Sequence, residues 1–300
     1  GSSTAWRDSN APPDTITTVA GRTTSMTDPH VLVLLDASPA SEAALESAAR
    51  LARHHQLELI ALFVEDQDLI ASAGHVFTRE ISLLSGQARP FDREILLARL
   101  ARQRTQIEAR LASLDRQGHL RWRLEVVTGP VIENIRQAAR TAEWVVLGKA
   151  GWSAARGGRL GTTARQLIET THSRLLLWEE QPPSPKAAIV ALIGDPNTSD
   201  AVIETARQLA LATDRDVRLL LLPGAAPSSL PATPTAHPAV SVEPLAGHGL
   251  EALRRALRNG SAAALVLDDQ CALTLGLPMA DLIAGLDTPV IRIPSLPMSE

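Results

Sequence analysis

Gly148, Gly151 and Gly161 follow a short apolar run, residues 144–147, and precede a segment of helical character that begins at position 162. A strand, a glycine loop and a helix start, in this order, expose the unpaired amides and the positive dipole end of the helix at the loop. Because glycine has no Cβ atom, an anion can approach the loop backbone closely. The order of these elements and the glycines between them predict a binding site for a phosphate group.

The side chains of the same stretch are also suited to binding an anion. Thr162 and Thr163 stand where hydroxyls can cap the helix or donate to a phosphate oxygen. From position 148 to position 165 there are four basic residues, Arg159 among them, and no acidic residue. The alternative interpretation is a connection whose glycines only form turns. The pattern differs from the Walker loop, which ends in Gly-Lys-Ser/Thr, and from the tighter dinucleotide fingerprint.

Elements of an α/β fold surround this stretch. Up to position 180, five apolar runs alternate with helical segments, which predicts one doubly wound parallel sheet. Residues 65–90 lack periodicity and are expected to form a long loop. Residues 1–28, rich in Ser, Thr, Asp and Pro, are predicted to be a disordered leader. The five runs are residues 31–35, 57–64, 122–127, 144–147 and 174–178.

The chain then repeats itself. After a proline-rich linker, residues 181–186, the segment 199–210 matches the segment 41–52 at six of twelve positions without a gap. Three hundred residues also exceed one typical hydrophobic core. An internal duplication is therefore predicted, with a first domain over residues 29–180 and a second over residues 187–295.

The second copy is predicted to lack the phosphate site. Asp36, which follows the first strand of copy one, is matched by Gly194. The counterpart of the glycine loop is short and opens with Asp268 and Asp269, whose carboxylates would repel a phosphate. We therefore expect one site per chain.

Composition narrows the functional class. A net charge of −4 argues against a general nucleic-acid binder, and 3% aromatic residues without tyrosine disfavour base stacking. Cys271 is the sole cysteine, which excludes an intramolecular disulfide and suits a reducing compartment. No run of eighteen apolar residues occurs, so membrane insertion is not expected. These features predict a cytoplasmic protein.

The glycine spacing, its place after the fourth strand and the opening at residues 31–45 resemble the ATP-binding branch of the universal stress protein family. The resemblance extends from position 29 to position 295 in two tandem copies. It implies two tandem open, doubly wound five-stranded parallel sheets of the adenine-nucleotide α-hydrolase-like type, the second copy degenerate. It also implies a pseudo-dimer of the two domains through residues 174–178 and 290–293.

The resemblance further implies a binding site across the carboxyl ends of the first, second and fourth strands. Asp36 would face the ribose and adenine, and Val64 would contact adenine. The residues implied for the phosphates are Gly148, Gly151, Gly161, Thr162 and Thr163, with Arg159 beside them. Each has a plainer alternative: Asp36 could only cap a helix, Val64 could be a core residue and Arg159 a solvated surface charge.

The implied function is nucleotide-dependent stress response or regulation, without an assigned catalytic residue. ATP is the implied cofactor, with ADP or AMP as alternatives and Mg²⁺ as a candidate companion. A homodimer and an unidentified protein partner are further implied. Two other functions stay open: an interaction protein with a vestigial site, and a slow ATP hydrolase. Against the hydrolase, the loop supplies no carboxylate to position water or Mg²⁺, and Asp36 is the one candidate.

Overall fold

The protein is described by a computed structural model, which covers most of the chain outside its termini and a few loops. The described residues are 28–36, 38–73, 75, 77–81, 86–116, 118–150, 159–180, 183–225 and 238–294, together with the backbone of 17–19. Gly151, and residues 1–16 and 20–27 of the predicted leader, lie outside these ranges.

The N-terminal half contains eight strands and five helices among its described residues. The strands are β1 (Thr17–Val19), β2 (His30–Leu35), β3 (Glu58–Asp66), β4 (Arg79–Ile81), β5 (Ala88–Pro90), β6 (Trp122–Gly129), β7 (Ala142–Gly148) and β8 (Arg174–Trp178). The helices are α1 (Pro39–His55), α2 (Gln67–Ser72), α3 (Arg93–Leu114), α4 (Val131–Ala139) and α5 (Thr162–Thr170).

The C-terminal half is smaller. Its strands are β9 (Ala188–Ile193), β10 (Val217–Leu221), β11 (Val240–Pro244), β12 (Ala262–Asp268) and β13 (Val290–Ile293). Its helices are α6 (Pro196–Thr213), α7 (Gly249–Asn259), α8 (Asp269–Thr274) and α9 (Met279–Ala284). No helix or strand lies between Trp178 and Ala188 in the part of the linker that the structure describes.

The two halves share one sheet of eleven strands. Five parallel strands lie in the order β6-β3-β2-β7-β8, and five more in the order β11-β10-β9-β12-β13. Each half thus orders its strands in the same way. The halves join where β8 pairs antiparallel with β13, Leu176 opposite Ile291. The predicted α/β fold and the predicted pairing of these two strands are confirmed, and the two expected sheets are continuous.

Helices cover both faces of this sheet. The side chains of β2 alternate between them: Val31 and Val33 pack beneath α1, whereas Leu32 and Leu34 face the opposite layer. On the first face lie α1, α3 and α6, and on the second lie α4, α5, α7, α8 and α9. All six residues of β2 are buried, as the continuous apolar run predicts for a strand covered on both sides.

Three local predictions differ from the structure. Residues 17–19, assigned to a disordered leader, pair antiparallel with β6, whose outer edge offers backbone groups to a β-branched segment. The expected loop at 65–90 contains α2 and the β4–β5 hairpin. The expected loop after β12 begins with α8, because the Asp268 carboxylate accepts a hydrogen bond from the Cys271 amide and caps a helix there. Among the described residues, no helix has the length and apolarity that a bilayer crossing requires.

Candidate functional site

The sheet order creates a crevice between β2 and β7. These strands are neighbours, but α1, which follows β2, packs on one face, whereas α5, which follows β7, packs on the other. In an open α/β sheet the carboxyl edge at such a reversal is where ligands bind. Asp36 follows β2 and Gly148 ends β7, so the structure brings these two predicted residues to that edge.

Asp36 is exposed and organises the start of α1 without capping it directly. Its Oδ1 accepts hydrogen bonds from the Ser38 amide at 3.0 Å and the Ser38 hydroxyl at 2.6 Å. Ser38 is the N-cap, and its Oγ accepts from the Ser41 amide at 3.2 Å. The alternative that Asp36 itself caps the helix is therefore replaced by an indirect role, and its carboxylate stays at the surface of the crevice.

Val64 lies on β3, the strand beside β2. Its side chain is half-buried and packs against the apolar layer beneath α4 and α5. The β2–β3 ladder ends at the pair Leu35–Phe63, so Val64 is the first residue of β3 beyond it. The side chain of Val64 therefore packs as part of the core, as the alternative interpretation expected. The backbone of Val64 lies at the edge of the crevice.

Gly148 has a packing requirement of its own. A Cβ atom added there would lie 2.9 Å from the Cβ of Ala40, 3.0 Å from the Ala40 carbonyl carbon and 3.0 Å from the Ser41 amide nitrogen. These atoms form the first turn of α1, so the end of β7 and the start of α1 approach more closely than any side chain allows. The need for glycine at this position has an explanation that does not involve a ligand.

Gly161 closes the loop and caps α5. Its amide donates to the Lys149 carbonyl at 2.9 Å, so that amide is already paired within the protein. As N-cap it supplies no side chain, and the first-turn amides of α5, including those of Thr162 and Thr163, have no partner within the helix. Thr162 is exposed and Thr163 half-buried. The helix start that the sequence predicted as an anion seat is therefore present at this position.

The three basic residues of the stretch that the structure describes, Lys149, Arg159 and Arg165, contact the C-terminal half, an arrangement that the sequence did not predict. Arg159, exposed, lies 3.1 Å from an oxygen of Asp287, and Arg165 lies 3.2 Å from Asp281. Lys149 is fully buried, and its ammonium donates to Glu179. The positive charges of these three side chains are thus paired with carboxylates. These ion pairs could not be predicted from local sequence, because Arg165 and Asp281, for example, are 116 residues apart.

The corresponding edge of the C-terminal half is filled by its own side chains. Cys271 of α8 is fully buried, and its Sγ lies 3.3 Å from the Leu192 carbonyl oxygen. A Cβ at Gly194 would come within 3.2 Å of that sulfur. Burial, with a smaller contribution from Asp268, raises the pKa of the Cys271 thiol far above its ordinary value. The place is therefore closed sterically, which is a different reason from the charge repulsion that the sequence suggested.

Two other features bear on ligands. A cavity of about 930 Å³ lies at the opposite edge of the sheet, near the ends of α4 and α5, with Arg140, His172 and Arg174 among its lining residues. It therefore does not coincide with the predicted site. Within the described ranges, no group of three or more His, Cys, Asp or Glu side chains is arranged to hold a metal ion.

Comparison with known proteins agrees with this fold. Residues 29–177 match the model of the universal stress protein family. A universal stress protein from Archaeoglobus fulgidus DSM 4304 superposes with a TM-score of 0.56 at 13% identity, over 88% of this chain and 97% of its own. A protein of unknown function from Pseudomonas aeruginosa PAO1 gives 0.54 at 11% identity, over 90% and 93%. Both superpositions include residues of both halves. A search of curated protein sequences gave no match.

Proposed function

The chain belongs to the universal stress protein family, and on that premise we propose that residues 30–178 bind one adenine nucleotide per chain, in the first place ATP. The observation that carries the proposal is the meeting of three features at one edge of the sheet. These are the exposed Asp36 after β2, the end of β3 at Val64 and the amino end of α5 behind the glycine loop.

These residues fit the parts of a nucleotide by their chemistry. A carboxylate such as that of Asp36 accepts hydrogen bonds from ribose hydroxyls. The apolar surface and edge backbone at Val64 suit an adenine ring. The first-turn amides of α5 and the hydroxyls of Thr162 and Thr163 suit phosphate oxygens. Because Arg159 is shared with Asp287, amides and the helix dipole supply much of the attraction, and Mg²⁺ is the candidate companion ion.

One nucleotide per chain is proposed because the second edge is closed. A Cβ atom at Gly194 would lie 3.2 Å from the Cys271 sulfur and 3.2 Å from Leu222, so side chains of the C-terminal half already occupy the space beside the end of β9. Isothermal titration of the full chain with ATP should therefore give one site. Two equivalent sites would overturn the proposal for the C-terminal half, and mass spectrometry of nucleotide released from the purified protein would identify whether ATP, ADP or AMP is held.

The proposed role is regulatory, in the stress response, with binding rather than turnover as the primary event. At the carboxyl edge the Oδ1 atoms of Asp36 and Asp66 accept hydrogen bonds at the starts of α1 and α2, and Asp36 is proposed to face the ribose rather than the phosphates, so neither carboxylate is proposed to activate water. Phosphate release at a rate comparable to nucleotide exchange would favour the slow hydrolase instead. The lone buried cysteine is consistent with a reducing compartment, and we propose the cytoplasm.

A protein-binding role is supported by the β4–β5 hairpin. Phe77, just before it, is 95% exposed, and Ile81 within it is 64% exposed. Contiguous exposed apolar patches often mark contact surfaces, whereas single exposed apolar side chains are common. A chain that binds no nucleotide but loses a protein partner on replacing Phe77 with serine would support the alternative of an interaction protein with a vestigial site.

A further inference from the structure

We infer that the C-terminal half positions the two described ends of the glycine loop, residues 148–150 and 159–161, and that Lys149 is the positioning residue through which it does so. The consequence for ligands rests on the proposed function, because it concerns the loop that is proposed to hold the phosphates. The structural part of the inference stands on contacts that any variant can test without nucleotide.

Lys149 joins the two ends of the loop. Its carbonyl accepts the hydrogen bond from the Gly161 amide at 2.9 Å, and its own amide donates to the Trp178 carbonyl at 2.8 Å. The residue therefore ties the exit of β7 to the start of α5 and to the end of β8. Because the Gly161 amide is bonded to the Lys149 carbonyl, a shift of Lys149 would also displace Gly161, the N-cap of α5, or break this hydrogen bond.

The side chain of Lys149 reaches into the C-terminal half. Only 1% of it is exposed, and its ammonium donates to Glu179 Oε1 at 2.6 Å and to the Leu286 carbonyl. Removing an ammonium from water is costly unless it is paired and hydrogen-bonded. The side chain is therefore held at the one place where both acceptors are present, and Leu286 fixes that place from the other half.

The turn that carries Leu286 is itself well anchored. The neighbouring Gly285 carbonyl accepts a hydrogen bond from Arg254 of α7, and a Cβ at Gly285 would lie 2.5 Å from Leu250. The turn thus packs against α7, and a displacement of the turn would disturb this packing. It offers a rigid support for the loop of the other half.

Two further ion pairs link the same segment to the loop. Asp287, next to Leu286, pairs with Arg159, and Asp281 of α9 pairs with Arg165 of α5. Both pairs are about half exposed, so each contributes little stability alone. What the contacts share matters more, because all of them come from the segment 281–287. This segment contacts the start of the loop at Lys149, the end of the loop at Arg159 and the following helix at Arg165.

The Asp287–Arg159 pair allows a positioning effect on ATP affinity to be distinguished from a purely electrostatic effect. Asp287 lies beside Arg159, a proposed phosphate ligand, so its negative charge by itself disfavours an anion nearby. If charge alone mattered, Asp287→Asn would raise ATP affinity. If Asp287 helps to hold the loop, the same change lowers ATP affinity. The two accounts predict opposite signs.

The first test replaces Lys149 by methionine, an apolar side chain of similar length. Lys186→Met is the matched control, because Lys186 is exposed in the linker. We expect Lys149→Met to weaken ATP binding at least tenfold while adenosine binding, which does not use the loop, changes less than twofold. Equal losses for ATP and adenosine would indicate a general structural defect and overturn the positioning role.

Amide hydrogen exchange without nucleotide gives an independent measure. Exchange of the Gly161 amide, which is bonded to the Lys149 carbonyl, should accelerate at least tenfold in Lys149→Met and not in Lys186→Met. Unchanged Gly161 exchange in a folded variant would overturn the inference. A wild-type chain that binds no nucleotide refutes the proposed function, and the Gly161 exchange rate still decides whether the loop depends on Lys149.

A second variant covers the case in which Lys149→Met fails to fold. Asp281→Asn combined with Asp287→Asn changes two exposed side chains, with Glu204→Gln on α6 as the control for loss of an exposed carboxylate in the same half. We expect ATP affinity to fall about threefold or more in the double variant and to stay within twofold in the control. A rise in ATP affinity would show that the pairs compete with phosphate and would overturn the inference.

Discussion

Replacing Gly148 by alanine should destabilise the fold, whether or not the chain binds nucleotide. The new methyl carbon would lie 2.9 Å from the Ala40 Cβ and 3.0 Å from two backbone atoms of α1. Carbon atoms in contact prefer about 3.5–4.0 Å, so α1 or β7 has to move by roughly half an ångström or more. Backbone cannot rotate away as a flexible side chain would.

The expected cost follows from overpacking. Extra methyl groups in a well-packed site cost about 1–3 kcal/mol of unfolding free energy. At about 2–4 °C per kcal/mol for domains of this size, the melting temperature should fall by roughly 2–12 °C. Circular dichroism during thermal unfolding and urea titration measure these two quantities.

Gly161→Ala provides the matched control. A Cβ at Gly161 would meet its nearest atom, the Ala150 carbonyl oxygen, at 3.2 Å, and the backbone there has φ −71°, which alanine adopts readily. We expect less than about 1 kcal/mol of lost stability, mainly from a poorer N-cap. If Gly148→Ala is as stable as wild type, or no less stable than Gly161→Ala, the close approach of β7 and α1 is not a packing requirement.

Two substitutions, one truncation and one reactivity measurement test other contacts of the protein. Thr162→Ala should lower ATP affinity by about 1.5–3 kcal/mol, measured by titration, because it removes a donor to a charged group. Asp269→Asn leaves the buried guanidinium of Arg292 without its counter-charge and should lower the unfolding free energy by about 3 kcal/mol, with nucleotide stoichiometry unchanged. A fragment of residues 29–180 should self-associate in sedimentation, because the β8 edge is exposed when β13 is missing. Since burial raises the pKa of Cys271, its thiol should stay unreactive toward a chromogenic disulfide near neutral pH until the chain unfolds.

Much of the fold could be predicted because its strands are covered on both faces. Continuous apolar runs such as β2 and β8 show no alternation and are bounded by polar segments, so the sequence locates them to within a residue or two. The β8–β13 pairing was implied by the family resemblance and not by the local pattern of either strand. The edge strand β1 was not, because three β-branched residues in a polar segment give little signal before β6 is in place.

The sequence predicted which elements meet at this edge of the sheet, and it did not predict the contacts of their side chains. Asp36, Gly148 and the start of α5 meet at one edge because the strand order brings them there. Local sequence could not reveal that Gly148 packs against Ala40, or that Lys149 is buried against Leu286, 137 positions away. A glycine or a lysine in a loop has the same local pattern whether it serves a ligand or a distant part of the chain.

The contacts at the junction suggest why the C-terminal half is kept although its own edge is closed. The residue that follows the fourth strand of each half carries a charge in a largely buried ion pair: Lys149 with Glu179 after β7, and Asp269 with Arg292 after β12. In each pair the cation also donates to a backbone carbonyl just before the last strand of the other half, that of Leu286 for Lys149 and that of Thr171 for Arg292. The carbonyls of Leu286 and Thr171 occupy comparable places before β13 and β8, but the charged partners do not, because Glu179 follows β8 whereas Arg292 lies within β13. In the C-terminal half α8 follows β12, where the N-terminal half has its glycine loop, and each half donates one hydrogen bond to a carbonyl of the other, so the closed edge and the support of the loop ends are compatible parts of one arrangement.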